Sequence, residues 1–237
     1  MSENPYAPPQ AVLAGPQLLA EGTGTIDLRR CMREAWRDTW ANFPFWLGAG
    51  IAWLLALVAG VLSILGILLV VPVLYWGGYV FLLKMHDGSA RVSDLFSGFS
   101  RYGQALVGMI GYFIVSTLIG IPAQIPLQLG AAPPQRWWLV GIGYLTLLAI
   151  LLFVQSRLNF APFLMVDRGL GLGEALSQSW SRTAAVKGQA ALLVVLMFVV
   201  TIAGMLALLV GVIPATVYAF LLWVSAYRQI FGGARAS

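Results

Sequence analysis

Residues 39–83 read TWANFPFWLGAGIAWLLALVAGVLSILGILLVVPVLYWGGYVFLL, forty-five consecutive positions without a charge. The hydrocarbon core of a bilayer is crossed by about 20 apolar residues. The run is therefore too long for one span and long enough for two joined by a tight turn, which predicts spans near 45–62 and 64–84. Residues 188–227 form a second uncharged run and predict spans near 188–207 and 209–230. Between Arg101 and Arg136 lies a third. Its second half, with Gln124, Pro126, Gln128, Pro133, Pro134 and Gln135, reads as an external loop, leaving one span near 104–123. A sixth, near 137–156, is led by Trp137 and Trp138 as interfacial anchors. The expected fold class is all-α, a polytopic membrane protein with six transmembrane helices.

Composition agrees. Of 237 residues, 59% are hydrophobic and 10% charged, against roughly 25% charged in a soluble domain, and the mean hydropathy is +0.84. Little chain is left for a soluble catalytic domain. One cysteine, Cys31, and one histidine, His86, make neither an internal disulfide nor a zinc site. The net charge of +5 reads as membrane orientation rather than nucleic-acid binding. With six spans, thirteen of the fourteen Lys and Arg residues fall on one side and only Arg136 on the other. The positive-inside rule then places both termini in the cytoplasm.

Residues 1–24 hold four prolines, two acidic residues and no Lys or Arg. They read as a disordered cytoplasmic tail, without the basic start of a signal peptide. Asn4, Pro5, Tyr6, Pro8 and Pro9 favour extended polyproline structure, which aromatic grooves bind at small entropic cost; a spacer is the plainer reading. The membrane domain takes residues 25–232, and 233–237 form a short C-terminal tail.

Three cytoplasmic segments, near 26–43, 92–101 and 172–186, are each short, amphipathic and acidic near the start. Each carries an aromatic on its apolar side: Trp36 with Trp40, Phe99, and Trp180. Ser100-Arg101 precedes Gly103-Gln104-Ala105 much as Ser181-Arg182 precedes Gly188-Gln189-Ala190. The pattern predicts three parallel copies of one unit, an interfacial helix followed by a transmembrane hairpin. Trp36, Trp40, Arg101, Trp180 and Arg182 are then candidate bilayer-surface residues, suited to anionic lipid. Simple topological anchoring, or for the first helix packing on neighbouring protein, is the alternative.

No ionisable residue falls in the middle of a span, where ion and proton pathways usually show themselves. Arg157 and Arg228 sit at span ends, placed to snorkel. Gln104, Thr117, Gln155 and Thr201 are expected to make helix–helix hydrogen bonds, and small residues at Ala56/Gly60 and Ala203/Ala207/Gly211 to allow close packing. His86-Asp87-Gly88 and Asp167-Arg168-Gly169 read as turns, with His86 on the surface. There is no G-x-S-x-G, H-E-x-x-H or P-loop, so no catalytic, cofactor or metal residue is assigned and an enzyme is not expected.

The stretch from Arg157, RLNFAPFLMVDRGLG, with Glu174-Ala175-Leu176 and Ser179-Trp180, resembles uncharacterised bacterial six-span families. These include YciC-type inner-membrane proteins and the membrane domain attached to some glycerophosphodiester phosphodiesterases. The resemblance implies a bacterial inner membrane and brings no catalytic residues. The expected function is a non-enzymatic scaffold or adaptor that docks a cytoplasmic protein through its tail, with membrane lipids as neighbours. A lipid-handling or neutral-solute transport protein is the alternative, and a regulatory membrane subunit of an enzyme a third.

Overall fold

A computed structural model describes residue 22 and residues 24–232, apart from 42, 63 and 207, and without the side chains of 64 and 208–211. The candidate tail residues Asn4, Pro5, Tyr6, Pro8 and Pro9, and the segment 233–237, lie outside the described residues. Among those described, all regular structure is helical. In chain order come α1 (Leu28–Ala41), α2 (Phe43–Val61), α3 (Ile64–Leu69) and α4 (Val71–His86), then a 3-10 helix at Val92–Arg101. α5 (Tyr102–Ala131), α6 (Trp137–Ala149), a π-helical turn (Ile150–Gln155), α7 (Ser156–Leu158) and α8 (Ala161–Arg168) follow. α9 (Leu172–Arg182), α10 (Lys187–Leu206) and α11 (Leu208–Phe231) complete the chain.

Five helical runs are long and apolar enough to cross a membrane: Phe43–Val61, Leu65–His86, Val92–Ala131, Trp137–Arg168 and Lys187–Leu206. Side chains such as Leu54, Leu55, Leu145, Phe153, Val199 and Ile202 point outward uncovered. A surface so apolar is a bilayer-facing one, and the helical backbone behind it pairs its polar groups internally, as a bilayer requires. The molecule is built as a helical membrane protein.

The core lies where α4, α8 and α11 meet. Tyr79 of α4 packs edge-on against Phe163 of α8, with ring centroids 5.0 Å apart. Phe163 stacks on Tyr227 of α11 at 5.5 Å, and Phe160 meets Trp223 at 4.9 Å. Trp76, Met109, Phe160, Phe163 and Tyr227 are buried there, so the centre is filled. All three helices stop at a glycine that the left-handed region favours: Gly88, Gly169 and Gly232, with φ of 76°, 67° and 75°.

After Gly88 and Gly169, and before the first hairpin, a short amphipathic segment runs antiparallel along one of these helices. α1 lies on α11, the 3-10 helix on α4 and α9 on α8. The 3-10 helix comes closest: a Cβ on Gly77 would lie 1.8 Å from the Leu95 carbonyl oxygen, and one on Gly98 would lie 2.2 Å from that of Val73. Leu95 and Gly98 are buried three residues apart, the spacing that eclipses in a 3-10 helix.

The structure corrects the span boundaries in three places. The polar stretch after residue 123 is not a loop: α5 continues to Ala131 with Pro122 and Pro126 inside it. Packing compensates for the prolines. Cβ atoms on Gly130 and Gly143 would fall within 2.9 Å of atoms of the facing helix, so α5 and α6 touch nearly to their ends. The run from Trp137 extends to Arg168 rather than stopping at 156, interrupted by the π-helical turn and by a break before Pro162. The run from 64 breaks at Val70, just before Pro72, and ends at His86.

α1 also differs from a helix lying flat among headgroups. Its Cys31, Ala35, Asp38 and Thr39 are buried, and it climbs α11 from Gln229 to Tyr218. The stripe of Met32, Trp36 and Trp40 stays exposed on its other side.

Candidate functional site

The polar chemistry of the described residues gathers where α4, α8 and α11 end, and it has two adjoining parts. The first starts from α1, whose Glu34 and Asp38 share a face at a spacing of four with Cys31 and Ala35. That face is laid against the end of α4 and the last turns of α11. His86 Nδ1 lies 2.8 Å from Asp38 Oδ2, and its Nε2 3.8 Å from Glu34 Oε2. The Ser225 hydroxyl donates to Glu34 Oε2 at 2.6 Å. From the rim, Arg30 Nε reaches Glu34 Oε1 at 3.0 Å, and Arg37 Nη2 reaches Asp38 Oδ1 at 2.6 Å. Gln229 Nε2 donates to the Cys31 sulfur at 3.3 Å, and its oxygen accepts the Asp27 N–H at 2.6 Å.

The expectation of a surface His86 is thereby overturned: it is only 5% exposed, because it is the last residue of α4 and α1 lays Glu34 and Asp38 against it. For Glu34, burial pushes the carboxyl up, but the Ser225 hydroxyl, Arg30 and His86 outweigh it and hold the group below the usual carboxylate range. Asp38 behaves alike, burial being overcome by His86 and Arg37. Burial pushes the Cys31 thiol up to about 11, which keeps it protonated and a poor nucleophile.

In the second part, Arg228 of α11 bridges the ends of the two other central helices. Its Nη2 donates to Asp87 Oδ2 at 2.5 Å and its Nη1 to Asp167 Oδ2 at 3.0 Å. The Tyr227 hydroxyl donates to Asp167 at 2.7 Å. Arg168 donates to the Phe231 carbonyl. Because His86 precedes Asp87 and Arg228 precedes Gln229, the two parts are one charged plate across the end of the core. Its ion pairs clasp the ends of the three central helices together. Among the described residues, no three His, Cys, Asp or Glu side chains are placed to hold a metal ion.

A smaller uncharged cluster sits at the π-helical turn. Tyr112 donates to Asn159 Oδ1 at 3.1 Å, and Gln155 to both, at 3.3 and 3.0 Å. Gln155 thus bridges helices as expected, and Gln104 does so through the Gly169 carbonyl at 3.1 Å. Thr117 and Thr201 instead bond back to their own helices, at the carbonyls of Phe113 and Met197.

The candidate bilayer-surface residues stay outward. Trp36, Trp40, Trp137, Trp138 and Trp180 are exposed, as are Arg101 and Arg182. Arg157 lies over the Trp180 ring, 3.7 Å from its centroid. The charged plate was not foreseen as a unit. The one signal in the sequence is Glu34 and Asp38 sharing a helix face with Cys31 and Ala35, away from the tryptophans. No family model, curated protein or solved structure matches the chain.

Proposed function

We propose that the protein is a non-enzymatic, six-span scaffold or adaptor of three parallel units, with both termini in the cytoplasm of a bacterial cell and the tail as its docking arm. The observation that carries the reading is the closed centre. Aromatic rings fill the space between α4, α8 and α11, and the Arg228–Asp87–Asp167 bridge caps it. A solute pathway needs polar lining groups along its length, and a filled core capped by salt bridges favours a static platform. α11, 24 residues long, supplies the sixth span. The threefold reading is supported by each amphipathic segment packing on one central helix and by each central helix ending at a positive-φ glycine. The last unit's helix receives α1, so the three units close into a ring. The inner-membrane location rests on the family resemblance and the charge asymmetry.

The test compares full-length protein with a version lacking residues 1–20, purified from native membrane, with co-purifying proteins and lipids identified by mass spectrometry. Gly22 is kept because it sits against the Ile230 and Gln229 carbonyls. A protein partner lost with the tail is the expected result; no tail-dependent partner sinks the adaptor reading. The second reading, lipid handling, is favoured by an apolar cavity between α2, α4 and α11.

A further inference from the structure

We propose that the protein pairs with a second copy of itself along α5, with Gln124 and Gln128 hydrogen-bonded across the two-fold axis. The need arises because the polar stretch after residue 123 is not a loop in water but the last turns of an apolar helix. Register with α6 sets its depth. A Cβ on Gly130 would meet Val140, and one on Gly143 would meet Leu127. Gln128 therefore stands level with Ile142 on the antiparallel helix, and Gln124 level with Thr146. With Trp137 anchored among the headgroups at the start of α6, Gln124 lies nine residues inward, about 13 Å at 1.5 Å per residue. That is close to the midplane of a hydrocarbon core about 30 Å thick.

Both glutamines are exposed, and among the described residues neither has a hydrogen-bond partner. The facing helix offers none, since Thr146 bonds back to the Ile142 carbonyl at 2.9 Å. Ile121 and Ile125 beside them are exposed too, so the surroundings are hydrocarbon, where an unpaired carboxamide is costly. Thr117, Gly120, Gln124 and Gln128 recur at intervals of three and four and so share one face of α5. A Cβ on Gly120 would meet no atom within 4 Å; the face is open there, and a small residue lets a second helix approach closely. Two copies inserted the same way round are related by an axis along the membrane normal. That brings α5 against α5 in parallel, each residue level with its own counterpart. A carboxamide is its own complement, because Nε2 donates and Oε1 accepts. The same chain is thus the occupant that carries the matching group at the matching depth.

The pairing depends on α5 and α6 crossing a bilayer, not on the tail docking a partner. Full-length protein carrying Gly120→Cys is reconstituted into phospholipid vesicles and oxidised with copper phenanthroline. Cys31 is fully buried and stays out of the reaction. Counterparts beside the axis come within the Cα separation of about 7 Å that a disulfide spans, so a cross-linked dimer of twice the monomer mass is expected. Leu129→Cys, exposed on another face of α5, is expected to remain monomeric. Each interhelical hydrogen bond in a membrane is worth about three- to tenfold in affinity. Adding Gln124→Leu and Gln128→Leu to Gly120→Cys is therefore expected to raise the protein-to-lipid ratio needed for half cross-linking about tenfold or more. The Tm should be unchanged or raised, because neither glutamine is bonded within the chain. No cross-link at Gly120→Cys, equal cross-linking at Leu129→Cys, or a dimer that the two leucines leave unchanged overturns the proposal. The tail is present throughout, so each of these results leaves the tail experiment untouched.

Discussion

Asp38 ties the charged plate to its rim, since one carboxylate serves His86 on one oxygen and Arg37 on the other. Removing one member of a buried pair costs more than the pair contributes, because the partner is left desolvated and unmatched. Asp38→Ala is expected to cost about 3 kcal/mol, read as a lowered thermal unfolding midpoint in detergent; a loss within error of zero would show that the plate does not hold α1. The same carboxylates set an acid limit. Glu34 and Asp38 are both held below the ordinary carboxylate range in the folded protein. Their contribution is thus fully present above the unfolded value of about 4 and fades as pH falls through the lower folded values. Unfolding followed from pH 6 down to pH 2.5 should show stability dropping below about pH 4 in wild type. The drop should be shallower in Asp38→Ala.

At the scale of elements, glycine decides how closely a re-ascending segment can lie on a central helix. Gly77→Ala would press a methyl group onto the Leu95 carbonyl, 1.8 Å from an ideal Cβ, and neither backbone can yield cheaply. The expected cost exceeds about 3 kcal/mol, seen as lost folded yield. Gly48→Ala on α2 meets no atom within 4 Å and should instead gain about 0.5 kcal/mol from helix propensity. Equal behaviour of the two variants would mean that the 3-10 helix does not lie where described. Hydrophobic run length made the apolar helices legible, because a bilayer demands it of every span. It could not locate Gly77 and Gly98, since the partner of each is a backbone atom of another element far away in sequence, and the small-residue spacing pointed to Ala56/Gly60 instead. The prolines after residue 121 read as a loop for the same reason: what rescues them is α6, on the far side of a turn. α1 lies closer to the protein than an interfacial helix would: its tryptophan stripe stays outward, and the small Cys31 and Ala35 on the other face allow the close approach to α11.

At the scale of the molecule, the proposed orientation can be measured with the chain's own chemistry. Cys31 is fully buried and its thiol is pushed up to about 11, so at neutral pH almost no thiolate is present and reagent cannot reach it. The native cysteine is silent, and single cysteines can be added without replacing it. Ala132, in the turn between α5 and α6, and Ser89, in the turn after α4, are both exposed and lie at opposite ends of the hairpins. If six spans place both termini in the cytoplasm, Ala132→Cys in intact cells reacts with a membrane-impermeant maleimide at once. Ser89→Cys then reacts only after permeabilisation. The reverse labelling would invert the molecule and put the charged plate, with Arg37 and Lys84, outside. Labelling of both from outside would break the six-span reading itself. The positive charges predict the first outcome strongly, because inversion would carry nearly every Arg and Lys across the bilayer.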